Sequence, residues 1–358
     1  MEKKNGLPNE WFRDSKSTNP KASGAKARKP KSLNKRQIAW VFLGAFSYWF
    51  VFLLIIALLQ LNKLPIERVE SEIPKSPGQT WLLIGSDSRD DIDNPVLEGA
   101  PLGKFEGQRS DTIIIMSVPK IGTPLQLTSI PRDLVVTIPA RGDTGEKKNK
   151  INAAYAFGGP SLSLNTVEKL VGVQMDNYAE IGFAGLVNVV NSFGGIKVCP
   201  SQDFSDKKSG LEIKEGCQTV DGLTALAYSR MRYADPKGDI GRGERQQEVV
   251  KQIMKKSLSP FTLLNPLRAP RTVSALANAV TVNKGVGPLD LVPLAFALRS
   301  GGIDSATLPN KAGGNVGDLG STRKLTSDAE EVFKALQEEQ KFLPLKARNN
   351  YSVILPVK

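Results

Sequence analysis

The 358-residue chain contains no histidine. That absence removes Ser-His-Asp and Cys-His nucleophile systems, imidazole acid–base catalysis and every zinc site that needs an imidazole ligand. Chemistry is left to carboxylates, arginine, lysine, hydroxyls or a hard metal ion. Cysteine is scarce too: only Cys199 and Cys217 occur, and an extracytoplasmic location would let them form one disulfide, worth about 3 kcal/mol in the chain-entropy model. No Walker-type G-x-x-x-x-G-K-[ST] is present. The glycine-rich KAGGNVGDLGST follows no convincing strand, so it reads as a loop rather than a dinucleotide cradle.

Long apolar runs are missing with one exception, Ile38–Leu59 (IAWVFLGAFSYWFVFLLIIALL), inside the uncharged stretch 37–62. At about 1.5 Å per residue it spans roughly 33 Å, enough for a hydrocarbon core of about 30 Å, and is read as a single transmembrane helix. It exceeds a signal-peptide h-region and lacks a small-x-small cleavage site before Lys63, so it reads as a signal anchor. The formal charge of +12 is uneven: Met1–Arg36 holds eleven Lys/Arg against Glu2, Glu10 and Asp14. This stretch is rich in Pro, Ser, Asn and Gly and is expected to be a disordered basic tail at 1–36. The positive-inside rule places the tail in the cytoplasm beside anionic lipid and the rest outside, at the plasma membrane. That topology argues against a nucleic-acid partner despite the sequence pI near 9.5. Lys63–Thr80 reads as a linker, 81–340 as the extracytoplasmic catalytic domain and 341–358 as a C-terminal appendage.

Apolar runs in the exported part read as strands: WLLIG from Trp81, TIIIMSV from Thr112, LQLTSI and VVTIP around Pro131, and NYAEI from Asn177. Helical patterns start at Ser161, Phe183, Leu223, Gly243 and the capping box Ser327–Glu330. Continuous apolar strands are usually covered on both faces, which predicts an α/β fold, an α-β-α sandwich with a central mixed β-sheet.

Charge then appears where strands and helices end: GSDSRD (Asp87, Arg89), QRSDT (Arg109, Asp111), SIPRD (Arg132, Asp133) and YSRMRYADPKGDIGRGERQQ. Open α/β sheets bind ligands at such ends. In the last stretch Arg242, Gln246, Val249 and Ile253 share one helical stripe, so an arginine faces inward and needs an anion. Arg230 and Arg232 close the preceding helix and Arg245 lies within a turn of Arg242; guanidinium forks suit phosphate. Asp87 and Asp111 could hold Mg²⁺, with Mn²⁺ able to replace it, against polyphosphate oxygens. Phe183, Val187, Val190 and Phe193 read as a core helix or as the lining of an apolar lipid tunnel.

As a set, LLIGSDSR, RSDTIIIMSVP, LTSIPRDLVVTIP, KINAAYAFGG, GF...NSFGGIKV and DGLTALAYSRMRY...GDIGRGERQQ resemble the LytR-CpsA-Psr family of membrane-anchored phosphotransferases, from about Trp81 to Leu258. The resemblance implies an α-β-α domain with an apolar cavity and a Mg²⁺-dependent activity. That activity moves a glycopolymer from a polyprenyl-pyrophosphate carrier to peptidoglycan, forming a phosphodiester. It further implies Asp87 and Asp111 as metal carboxylates. Arg109, Arg132, Arg230, Arg232, Arg242 and Gln246 would be the pyrophosphate-binding and catalytic set, with Asp87 a candidate base and Arg89, Lys150 and Asn152 in supporting roles; Arg89 and Arg245 are expected to bind the pyrophosphate as well. The stretch DDIDNPVLEGAPLGKFEGQ is longer than the family's usual spacing and could line the acceptor side. A non-catalytic polyprenyl-phosphate binder or membrane-tethered regulator would use the same arginines without turnover.

Overall fold

A computed structural model describes residues 34–67, 73–87, 94–102, 110–118, 124–142, 144–257, 259–300 and 302–338. Most of the basic tail, the appendage 341–358, Arg89 and Arg109 lie outside them. The chain divides into two units, Met1–Tyr48 and Trp49–Lys358. Helix α1 (Lys35–Gln60) is, by length and composition, able to cross a membrane.

In chain order there follow β1 (Asn62–Leu64), β2 (Gln79–Ser86), β3 (Ser110–Val118), β4 (Leu125–Ser129), β5 (Val135–Ile138), β6 (Lys147–Lys150), α2 (Ala153–Val171), β7 (Asn177–Ile181) and α3 (Phe183–Ser192). Next are β8 (Ile196–Val198), β9 (Phe204–Asp206), β10 (Leu211–Ile213), β11 (Gln218–Val220), α4 (Gly222–Arg230), α5 (Asp239–Ser257), α6 (Pro260–Leu263) and α7 (Arg268–Ala279). The chain closes with β12 (Val280–Asn283), α8 (Leu291–Ser300), β13 (Ile303–Thr307), β14 (Asn310–Asn315), β15 (Ser321–Leu325) and α9 (Asp328–Glu338).

Seven strands form one mixed sheet in the order β1-β12-β7-β2-β3-β4-β13. The pairs β2–β7 and β4–β13 are parallel, while β2–β3 and β3–β4 are antiparallel. Side chains alternate across a strand, and both alternating sets here are apolar. Leu82, Ile84, Ile113 and Ile115 pack with α2 and α9 through Leu164, Val167, Val332 and Leu336. Trp81, Ile114, Met116 and Leu127 pack on the other face with Val250 and Met254 of α5 and Leu294 of α8. Burial on both sides explains the unbroken apolar runs, and the result is the α-β-α sandwich with a central mixed sheet.

Three expectations are corrected. The linker 63–80 contributes to the sheet: β1 pairs in parallel with β12 at the edge, and Gln79 and Thr80 belong to β2. The three-residue β1 has no apolar pattern of its own, and its partner is supplied by a remote segment. KAGGNVGDLGST is not a loop but most of the hairpin β14–β15, with Lys311 opposite Lys324 and a register shift between Ala312 and Gly314. Its glycines hide the alternation that would mark a strand. Finally, α5 starts at Asp239 rather than Gly243. Gly241 sits in its first turn because a Cβ there would overlap Asp235 Oδ2.

Antiparallel β8 and β11 place Val198 opposite Gln218, and the next residues outward, Cys199 and Cys217, are joined by a disulfide. The loop so closed carries β9, whose Asp206 accepts hydrogen bonds from the backbone N–H groups of Arg232 (3.2 Å) and Tyr233 (3.3 Å). Burial opposes that carboxylate's charge, but four backbone hydrogen bonds, from Lys208, Arg232, Tyr233 and Ser209, hold its pKa below the ordinary aspartate value. The double variant Cys199→Ser/Cys217→Ser should therefore fold but lose about 3 kcal/mol. Denaturant unfolding of the full chain in detergent, variant against oxidised wild type, would show no shift in midpoint if the bridge carried nothing.

Candidate functional site

Strand directions bring the charged clusters to one end of the sheet. Ser86 at the end of β2 pairs with Ser110 at the start of β3, so Asp87 and Asp111 follow on neighbouring strands. β4 ends at Ser129 opposite Thr307, the last residue of β13, and leads directly into Arg132 and Asp133. The first turns of α5 close over this end. A pocket results, with Asp111, Arg132 and Asp133 on the sheet side, Asp239, Arg242, Gly243 and Gln246 on α5, and Thr307, Asn310 and Arg323 completing the wall.

Within it, cations and carboxylates alternate. Lys150 Nζ lies 2.9 Å from Asp133, Arg132 Nε 3.6 Å from Asp133, and Arg132 Nη1 2.6 Å from Asp111. On the helix side, Asp239 is shared by Arg232 Nη2 at 2.8 Å and Arg242 Nη2 at 2.5 Å. Asn152, buried at the start of α2, donates its backbone N–H to the Arg132 carbonyl at 3.3 Å, which holds the Pro131–Asp133 turn in place.

The pKa directions show where charge is least compensated. Burial works against the Arg132 cation, yet Asp111, Asp133 and Asp239 outweigh it and raise its pKa. Asp133, also opposed by burial, is held low by its hydrogen bond from Lys150 and by Arg132, Lys150 and Arg242. Arg242 goes the other way: only 8% exposed, it is lowered first by burial and then by the like charge of Arg132, and Asp239 and Asp111 do not make up the loss. Arg230 is lowered by burial although Asp111 and Asp87 favour its charge. Arg132 Nε is buried without a hydrogen-bond acceptor among the described residues. The pocket thus holds guanidinium charge that its own carboxylates do not fully answer.

Of the residues expected from sequence, Asp111, Arg132, Arg242 and Gln246 line the pocket, and Lys150 and Asn152 sit behind it. Arg232 joins through Asp239. Arg230 lies apart from the pocket wall, donating to the carbonyls of Pro101 (3.3 Å) and Leu102 (3.2 Å) with its guanidinium 5.1 Å from the Phe183 ring centroid. Val187 packs with Leu97, Ala184 and Leu226, with Phe183 beside them, whereas Val190 and Phe193 belong to a separate core with Ile196 and Tyr228. The four do not line one surface.

Arg245 requires correction, since it does not reach the pocket. It is 5% exposed, its Nε donates to the Tyr228 carbonyl at 3.1 Å, and its Nη atoms bond Asp235 and the Met231 carbonyl. Arg242 and Gln246 are a turn apart on one stripe; Arg245 is rotated about 100° from Gln246, toward α4. Sequence reading left Asp235, Asp239, Thr307, Asn310 and Arg323 without roles. For Asp239 the signal was its place in the first turn before Arg242; for Arg323 there was none. Arg245→Ala should leave the buried Asp235 unpaired and cost about 3–5 kcal/mol, whereas Arg242→Ala should melt within a few degrees of wild type; equal melting temperatures for all three proteins would contradict the bracing role.

A model of the LytR_cpsA_psr family matches residues 62–341. Over 291 residues the chain is 37% identical to the probable cell wall biosynthesis protein LcpB of Corynebacterium glutamicum, covering 80% of this chain and 68% of that protein. It is 42% identical over 184 residues to the polyisoprenyl-teichoic acid–peptidoglycan teichoic acid transferase TagU of Enterococcus faecalis, covering 51% of this chain and 55% of that one. The crystal structure of B. subtilis TagT superposes with a TM-score of 0.55 at 27% identity, covering 76% of this chain and 98% of that chain; TagT has also been solved bound to LIIa-WTA. The chain thus spans from about half to two thirds of the length of these curated relatives. A basic, histidine-free pocket at one end of a mixed sheet, in a chain matched across 62–341, has one reading at this level: the protein belongs to the LytR_cpsA_psr family.

Proposed function

We propose that the chain is a membrane-anchored phosphotransferase that moves a glycopolymer from a polyprenyl-pyrophosphate carrier to a peptidoglycan hydroxyl, forming a phosphodiester and releasing polyprenyl phosphate. The observation that carries this reading is Arg242, buried beside Arg132 with burial and like charge both acting against it. Two guanidiniums are kept in such a place to receive an anion. The names of TagU and TagT-bound LIIa-WTA support a polyanionic wall polymer on the donor. With α1 as anchor and the tail cytoplasmic, the pocket would work outside the membrane.

In this reading the acceptor oxygen attacks the sugar-linked phosphorus in line with the departing polyprenyl phosphate. Arg132, Arg242 and Gln246 hold the non-bridging oxygens, and Arg230, near the apolar Phe183 end, faces the leaving phosphate. Asp239 orients both Arg232 and Arg242, and Lys150 orients Asp133 toward Arg132. Asp87 is the proposed base.

A hard divalent cation suits the donor set: Asp87 and Asp111 extend from the paired ends of β2 and β3 and offer only oxygen ligands. Among the described residues no cluster of three metal-ligating side chains occurs. These two would therefore hold Mg²⁺ together with phosphate and water oxygens. Such an ion supplies charge neutralisation on the phosphates.

Purified full chain, polyprenyl-pyrophosphate glycan, peptidoglycan and Mg²⁺ should yield a sugar–phosphate–peptidoglycan product; none under any condition would leave only a non-catalytic binder. Arg242→Ala should lower the transfer rate by about 10²–10³-fold while remaining folded, and near-normal turnover would remove the arginine from the mechanism. Chelation should stop transfer and Mg²⁺ should restore it; activity unaffected by a chelator would dismiss Asp87 and Asp111 as metal carboxylates.

A further inference from the structure

We propose that Arg323, at the base of the hairpin β14–β15, is a second anion anchor that binds the sugar-linked phosphate of the donor, opposite the lipid end of the site; this rests on the phosphotransferase reading. Arg323 lines the pocket together with Asn310 and Thr307. Arg132 and Arg242, which share that wall, both pair with carboxylates. Arg323 has no carboxylate partner among the described residues. Its backbone N–H is tied to the Asp133 carbonyl at 2.9 Å, and its Nε donates to Asn310 Oδ1. The guanidinium is therefore held through one edge, and its two Nη groups remain as donors. A half-buried guanidinium kept at a pocket wall without a counter-charge is an anion site by its chemistry.

Sheet order says which anion. The site runs along the strand ends β7, β2, β3, β4 and β13, four spacings or about 19 Å at roughly 4.8 Å each. At the β7 end are Phe183 and the apolar group Leu97, Val187 and Leu226, with Arg230 against the Phe183 ring. At the β13 end are Thr307, Asn310 and Arg323, all polar. Gln247 fastens α5 to that end by donating to the Ala306 carbonyl at 2.9 Å. A donor with its prenyl chain at the β7 end must direct its sugar toward β13. Of the two phosphates between prenyl and sugar, the one nearer the sugar is then on the Arg323 side of the site. The hairpin is thus a working part of the site: its paired strands carry Arg323, and Thr322 Oγ1 donates to the Gly314 carbonyl at 2.8 Å beside the register shift that adjoins Arg323.

The test uses the full chain in detergent and titrates two probes by calorimetry, N-acetylglucosamine 1-phosphate and farnesyl phosphate. Arg323→Met, which keeps the aliphatic stem and the backbone bonds, should weaken the sugar phosphate by about tenfold or more and leave farnesyl phosphate within about twofold. Arg323→Lys should recover part of the loss, and Lys324→Gln, on the opposite face of the hairpin, should match wild type. Sugar-phosphate binding unchanged in Arg323→Met, with Arg242→Ala reducing it, would overturn the Arg323 subsite and leave the phosphotransferase reading standing. A wild-type chain that binds neither probe would remove both. Should Arg323→Met fail to melt cooperatively, Arg323→Lys decides: full wild-type affinity for the sugar phosphate would show that the fork is not needed.

Discussion

The structure is arranged around one electrostatic difficulty, the placement of Arg242 beside Arg132 out of solvent. Like charges in a low-dielectric pocket repel strongly, and the fold answers by interleaving carboxylates: Asp111 and Asp133 around Arg132, Asp239 between Arg232 and Arg242. Each carboxylate comes from a different element, so the arrangement exists only when β3, the turn after β4 and the start of α5 are assembled. The mixed sheet makes that assembly, because antiparallel β3 starts where β2 and β4 end.

Bracing the fold and lining the pocket are divided between arginines three residues apart. Arg245 spends its donors on Tyr228, Met231 and Asp235, which pins the end of α4 to α5 and folds the intervening turn. Gly241 leaves room for Asp235 against the helix. Arg242, about 60° around the same helix, is then presented to the pocket with its guanidinium held by Asp239. The brace is fully satisfied and the pocket side is not, an asymmetry that supports the proposed ligand-binding role of Arg242.

Sequence carried the layers well because they rest on periodicity: runs such as TIIIMSV are apolar on both alternating faces, and both faces are covered. It also located the pocket, since a charge at the end of an apolar strand or at the start of an apolar stripe is drawn out of water and must meet a counter-charge or a ligand there. It could not separate Arg245 from Arg242, which are equal in composition and differ only by rotation about a helix whose start, Asp239, was placed four residues late. Nor could it find β1 or β14–β15. The first is three residues whose partner Thr281 lies more than 200 positions away, and the second is glycine-rich, so that only cross-strand register gives Arg323 a position.

The charge balance of the pocket bears on the ligand. Lys150, Arg132, Arg232, Arg242 and Arg323 face Asp111, Asp133 and Asp239, five cations against three carboxylates, and Arg230 and Asp87 at the other end cancel each other. Among the described residues the surplus is two positive charges. In the proposed reaction the donor, a pyrophosphate esterified at both ends, carries one negative charge on each phosphorus, and the Mg²⁺ proposed at Asp87 and Asp111 would add to the positive charge that receives it. The proposed transfer would free a phosphate monoester whose second ionisation, with a pKa of about 6, adds negative charge. In that reaction the site's positive field would favour the products' phosphates over the donor's and would stabilise the charge that develops as the bond to the lipid phosphate breaks.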